Sequence, residues 1–131
     1  MLVLGCGLIH ASPNKQLHYG AKYCKKNIVK KAMSKGANIN TKSQVDEFGL
    51  YPLHVAVVHQ CTELVRYLAF KAKADIDVRD DYDATPLHLA AYHKQSAIFW
   101  LLIKAGADPL VEDYDGLTPK DIAEHFGFWY Q

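Results

Sequence analysis

Tyr51-Pro52-Leu53-His54-Val55-Ala56 returns as Thr85-Pro86-Leu87-His88-Leu89-Ala90 and, more loosely, as Thr118-Pro119-Lys120-Asp121-Ile122-Ala123. The prolines stand 34 and then 33 residues apart. A fourth copy, Leu17-His18-Tyr19-Gly20-Ala21, lies upstream, with His18 36 residues before His54 and no Thr-Pro pair. A second motif closes each of the first three copies: Lys35-Gly36-Ala37-Asn38-Ile39-Asn40, Lys73-Ala74-Asp75-Ile76-Asp77 and Ala105-Gly106-Ala107-Asp108-Pro109. Two motifs recurring in phase define a modular chain built from one supersecondary unit.

The chemistry of these residues sets the shape of the unit. A threonine side chain accepts a backbone N–H at a helix start, and proline suits the first helical position because its φ is already helical and its missing N–H is no loss there. Helices are therefore expected to start at Thr85 and Thr118. Tyr51 cannot cap in the same way, which predicts a helix weaker by about 1 kcal/mol. The run Ile98-Phe99-Trp100-Leu101-Leu102-Ile103 is apolar nearly all round, as a second helix packed between neighbours requires, and Gly106 supplies the left-handed residue that ends it. Ile28, Val29, Ala32 and Met33 give the first copy the same apolar stripe, and Leu64, Val65 and Leu68 give it to the second. The residue that lengthens the second copy falls around Lys71 to Lys73, where the terminating glycine is absent, so an irregular helix end is expected there.

A T-P-L-H-x-A motif at a period of about 33 residues, followed by an apolar stretch and G-A-D, resembles the ankyrin-repeat family. The resemblance covers residues 17–131. It implies an all-α solenoid of stacked helix-turn-helix units joined by β-hairpin-like loops. The chain divides into an N-terminal cap segment, 1–16, and repeats of approximately 17–45, 46–79, 80–112 and 113–131, all in a single domain over 1–131. Because no such unit encloses its own core, stability must come from stacking. The last copy stops at Gln131, and Phe126, Phe128, Trp129 and Tyr130 are expected to cover the final interface in place of a full second helix. Both ends are apolar where a cap is normally polar, which predicts self-association, a partner bound at an end, or continuation into a longer array.

The 131 residues are 50% apolar and 22% charged, ordinary for a packed domain. The net charge of +1 conceals an asymmetry: residues 1–44 hold eight lysines and no acid, while all 14 acids follow Val45 against seven basic residues. No apolar run approaches the roughly 18 residues of a membrane span. Leu4-Gly5-Cys6 resembles a lipoprotein cleavage box, but no Lys or Arg precedes it and the apolar run is short, so a terminal cap is the preferred reading. Cys6, Cys24 and Cys61 form no C-x-x-C pair and leave an odd one, which points to neither a disulfide framework nor a zinc site, and to a reducing, cytoplasmic setting.

Catalytic and metal chemistry find little footing. His54/His59 and His88/His93 are each five residues apart, a rotation of about 500° that points the rings roughly 140° apart, whereas metal-binding pairs use i, i+4. His54 and His88 occupy the motif position that the family uses for structural hydrogen bonds. Cys61 lies near His59 in sequence without a third group to orient the base. Gly5-Cys6-Gly7 is too short for a dinucleotide fingerprint, and no Walker sequence exists. No catalytic, metal or cofactor residue is assigned, and no enzyme is expected. The lysine-rich first copy offers an alternative, binding to nucleic acid or an anionic surface, although a solvated helix face is the commoner meaning of such a cluster.

The resemblance implies instead a non-catalytic protein-protein interaction module, an adaptor or inhibitor, of the kind found among small viral or bacterial effectors and inhibitor-type regulators. Cytoplasm, or a host cell's cytoplasm or nucleus, is its expected location. The partner would bind a concave face built from hairpin tips and first helices. Placed on that pattern, Tyr23, His59, Tyr92 and His93, with Lys22, Val58, His125 and Phe126, form rows on the first helices. Phe48, Leu50, Asp81, Tyr82, Tyr114, Asp115 and Leu117, with Glu47 and Ala84, form the tips, where Asp83 stands at one glycine site. Aromatics are enriched at interface hot spots, and tips that need only turn would hold small polar residues. About half of these rings are expected to pack on neighbouring tips.

Overall fold

The computed structural model describes residues 10–43 and 48–129. Seven helices are seen among them: α1 (Pro13–Lys22), α2 (Lys26–Ser34), α3 (Pro52–Val58), α4 (Thr62–Arg66), α5 (Pro86–Tyr92), α6 (Ser96–Lys104) and α7 (Pro119–His125). No strand occurs among the described residues. The first helices stack in a row, α1 on α3, α3 on α5 and α5 on α7, and α1, α3 and α5 each pack on the second helix of their own repeat, α2, α4 and α6. The expected all-α stack of helix pairs is what forms. Glu47, Tyr130 and the apolar segment Met1 to Ile9 lie outside the described residues.

The helix starts follow capping chemistry. The Thr85 hydroxyl accepts from the His88 N–H and that of Thr118 from the Asp121 N–H, with Pro86 and Pro119 at the first helical positions. Tyr51 makes no side-chain cap, as its ring predicts. The first helix starts earlier than the Leu17-His18 pair indicates. Ser12 caps it through the Lys15 N–H, Pro13 opens it, and residues 13–16 join a helix one turn longer than α3 or α5. Register counted back from His18 alone places this Ser-Pro start inside the segment expected to be a cap.

The turns repeat as faithfully as the helices. Cys24, Gln60 and Lys94 all adopt left-handed φ, near 56°, 55° and 56°, between the first and second helix of their repeats. After the second helix, Gly36 and Gly106 take the left-handed position, and Lys73 takes it in the second repeat. Here the expected irregularity appears: α4 runs into a π-helical turn, Tyr67–Lys71, that absorbs the additional residue.

One apolar core runs the length of the stack, from Leu17 through Leu53, Val65, Leu68, Leu87 and Phe99 to Phe128. Phe99 is fully buried at its C-terminal end. Phe128 and Trp129 meet the Phe99 ring edge-on, with centroids at 5.2 and 6.1 Å, and Trp129 also packs on Trp100 at 5.2 Å. Phe128 and Trp129 thus cover the Phe99–Trp100 side of α6. Phe126 instead stays exposed beneath Lys94, whose ammonium lies 4.7 Å from the ring centroid.

Polar bonds tie each repeat together and stitch it to the next. The Nε2–H of His18, His54 and His88 donates at 2.8 Å to the carbonyls of Thr41, Ala84 and Leu117 respectively. The opposite ring nitrogen of His54 accepts from the Tyr51 N–H, and that of His88 from the Thr85 N–H. One neutral imidazole therefore fixes both its own helix start and the following hairpin. Burial of His88 lowers its pKa, keeping this neutral form. A second ladder runs through short amides and carboxylates: Asn14 accepts from the Asn38 N–H, Asn40 from the Asp75 N–H and Asp77 from the Asp108 N–H.

Candidate protein-binding surface

The residues expected to bind a partner fall on two lines. Tyr23, His59 and His93 are the C-terminal cap residues of α1, α3 and α5, so their side chains leave the core as the helices end. All three are exposed, as is Tyr92. On the hairpins, Phe48, Asp81, Tyr82, Tyr114, Asp115 and Leu117 are exposed and Leu50 is half-buried. Ala84 is an exception among the tip positions: it is buried, its N–H held by the Asp80 carboxylate and its carbonyl by His54.

The tips are joined rather than independent. The Asp81 N–H donates to the Phe48 carbonyl at 2.8 Å, and the Tyr114 N–H to the Tyr82 carbonyl at 3.0 Å. The Phe48 and Tyr82 rings lie 6.0 Å apart. Asp80 and Asp113 hold the hairpins from inside, Asp80 accepting from the Tyr82 and Ala84 N–H groups and Asp113 from those of Asp115 and Leu117. Such aspartates fix a turn by replacing backbone bonds that it cannot make internally. Gly116 takes φ 80° at the third tip, and Asp83 adopts φ 59° at the corresponding place in the second.

The two lines meet at two places. Tyr23, Phe48, Leu50 and His59 line one groove of about 660 Å³ between the first and second repeats, together with Lys15, His18, Tyr19, Lys22 and Lys42. At the other end the Tyr92 hydroxyl donates to Asp113 Oδ2 at 2.6 Å, linking α5 to the last hairpin. Burial, and then this bond, push the Tyr92 phenol far above its ordinary range. Burial alone would raise the Asp113 carboxyl, but the Tyr92 hydroxyl and the Leu117 and Asp115 N–H groups hold it below the usual value. His93 belongs to neither cluster.

Residues absent from the expected set complete the surface. Lys42 Nζ lies 2.6 Å from Asp81 Oδ1, and this hydrogen bond and charge raise the lysine pKa. Asp81 is thereby engaged within the molecule. Tyr19 stacks on Tyr23 at 4.7 Å, and the Lys22 ammonium lies 5.4 Å from the Tyr23 centroid. Lys26 and Lys30 lie over Tyr67. The basic first repeat thus has several lysines seated on rings.

The cysteines overturn an expectation. Cys24 and Cys61 form a disulfide, their Cα atoms 5.2 Å apart across a sequence separation of 37. Sequence spacing conceals the pair because Cys61 lies one residue beyond the repeat equivalent of Cys24, and only stacking brings the two turns together. Among the described residues no group of His, Cys, Asp and Glu is arranged to hold a metal ion, and no helix is long and apolar enough to cross a membrane.

A family model for ankyrin repeats, in three copies, matches residues 17–113. The chain is 35% identical over 85 residues to rat NF-kappa-B inhibitor alpha, covering 63% of this chain and 27% of that protein. It is 39% identical over 93 residues to the mouse B-cell lymphoma 3 protein homolog, covering 68% of this chain and 21% of that one. It is 36% identical over 86 residues to the mouse nuclear factor NF-kappa-B p105 subunit, covering 66% and 9%. The matched region is thus a small part of each of these curated relatives. Helix caps, histidine stitches, turn geometry and family match agree, and the chain belongs to the ankyrin-repeat family.

Proposed function

We propose that this chain is a non-catalytic, cytoplasmic recognition module that binds a protein along the strip formed by the hairpin tips and the ends of the first helices. The observation that carries the reading is the line of exposed rings on that side, from Tyr23 and Phe48 through Tyr82 and Tyr92 to Tyr114, which is 79% exposed. Rings left in water on a backbone-bonded scaffold are poised to be buried by a partner, at little ordering cost. The Tyr92–Asp113 bond and the joined tips hold the strip in shape beforehand. Similarity to proteins named as inhibitors of NF-kappa-B supports an adaptor or inhibitor role, and makes purified NF-kappa-B the first probe.

The test is capture of partners by the full chain, identified by mass spectrometry, beside a variant carrying Tyr82→Ala, Tyr92→Ala and Tyr114→Ala. The variant is expected to lose at least about a hundredfold in affinity, as removal of several hot spots should, while keeping its helical content. Retained affinity in a folded variant would sink the proposal.

A further inference from the structure

We propose that Cys24 and Cys61 form a reversible redox staple that locks the first repeat onto the second and is opened by thiol exchange with glutathione. Cys24 sits in the left-handed turn between α1 and α2, and Cys61 immediately precedes α4. Their Cα separation of 5.2 Å lies inside the range that a disulfide spans without backbone movement. The enclosed segment contains α2 and α3, so the bond crosses the repeat interface and restrains the most degenerate repeat of the stack.

The two sulfurs are placed unequally, and this gives the exchange a direction. Cys24 is exposed, whereas Cys61 is buried. An external thiolate therefore attacks Cys24 Sγ. The S–S bond breaks, Cys61 leaves as a thiolate and takes a proton from solvent, and a mixed disulfide remains on Cys24. A second glutathione thiolate attacks the glutathione sulfur of that mixed disulfide and releases Cys24 as a thiolate, which also takes a proton. Two glutathione thiols are oxidised to one glutathione disulfide as the protein disulfide is reduced to two thiols, and oxidised glutathione drives the reverse. Lys22, Lys25 and Lys26 are exposed around Cys24 in sequence and favour this net-negative tripeptide.

The reduced state also has a place in the fold. Cys61 Sγ lies 3.5 Å from the Ala21 carbonyl and Cys24 Sγ 3.9 Å from the His59 carbonyl, each on the opposite repeat. Both thiols can donate across the interface, so opening the staple loosens the stack without dismantling it and leaves the sulfurs facing one another. Tyr23 and His59, which flank the bridge and line the groove, are the surface residues released. A cytosolic disulfide is typically of this transient, sensing kind.

The test needs no partner and stands apart from the binding proposal. The full chain is equilibrated in buffers of varied reduced-to-oxidised glutathione ratio, quenched with N-ethylmaleimide and mapped by peptide mass. Cys24 and Cys61 are expected to be protected together at oxidising ratios and alkylated together at reducing ones. Hydrogen exchange over residues 13–34 should quicken at least about tenfold on reduction, from the loss of chain restraint, while α5 and α6 stay unchanged. In C24S, an exposed position, the exchange of α1 and α2 should match the reduced protein at every ratio. Independent alkylation of the two cysteines, a bridge that no glutathione ratio opens, or equal exchange of residues 13–34 in both states would each overturn the proposal.

Discussion

In the third repeat Thr85 caps α5 with its hydroxyl, while in the second Tyr51 occupies the same place and leaves α3 without a side-chain cap. Gly106 ends α6 in a left-handed turn, whereas α4 dissolves into a π-helical turn and Lys73 takes left-handed φ in its stead. Both repeats keep the proline, the leucine and the stitching histidine. What differs is how the helices end, and the difference teaches that the stack tolerates poor termini where a well-ended neighbour lies against them. The third repeat anchors; the second leans on it.

Removing the anchor's centre should do the most damage. Phe99→Ala takes away a fully buried ring on which Trp100, Phe128 and Trp129 pack, at an expected loss of about 3–5 kcal/mol by urea denaturation. An effect no larger than that of Tyr67→Ala in the second repeat would erase the contrast. His88→Gln comes next. It is expected to cost about 1–3 kcal/mol, because the Thr85 N–H and the Leu117 carbonyl cannot both keep buried partners.

His88 also gives the anchor a pH dependence of known sign. Its folded pKa lies below the ordinary 6.5, so the unfolded chain binds the proton more readily. The contribution is complete above pH 6.5 and falls away as pH drops toward the lowered folded value. Urea midpoints measured from pH 7.5 down to about 5 should decline in the parent and decline less in His88→Gln; equal slopes would remove His88 as the cause.

Smaller changes should level the two repeats. Tyr51→Thr, which supplies the missing cap, is expected to add about 1 kcal/mol, and Thr85→Ala to subtract a similar amount. Lys73→Gly, at left-handed φ, should add about 0.5–1 kcal/mol by relieving the side chain of a conformation that suits glycine. Thermal melts of the three variants would rank them, and a loss of stability in Lys73→Gly would mean that the lysine side chain holds this turn in a way the backbone does not reveal.

Most of the architecture was legible because capping and terminating residues act locally. Thr85-Pro86, Thr118-Pro119, Gly106 and the missing glycine near Lys73 each report their own turn, and the histidines report the stitch. Ser12-Pro13 escaped because it lies one helical turn out of phase with the other starts. The surface was legible as positions but not as relations. That Tyr92 bonds Asp113, that Lys42 neutralises Asp81 and that Cys24 meets Cys61 all depend on the stacking of adjacent repeats, across 21 to 39 residues of chain that carry no spacing signal. Asp113 as a residue, though not its bond to Tyr92, could have been found from recurrence, since Asp80 and Asp113 stand 33 residues apart at equivalent places of successive hairpins.

The histidine stitches give the stack a direction. His54 and His88 each donate to a carbonyl that the next repeat supplies, Ala84 and Leu117, whereas His18 donates to Thr41 of its own repeat. Cutting the array ahead of a hairpin orphans a buried donor on the N-terminal piece and spares the C-terminal one. In the last repeat Asp121 stands where the others have histidine, and its carboxylate closes on the Thr118 N–H of its own repeat. A chimera grafting new repeats onto the C-terminal side should therefore restore histidine at residue 121, while a shortened array should carry aspartate at its new terminus.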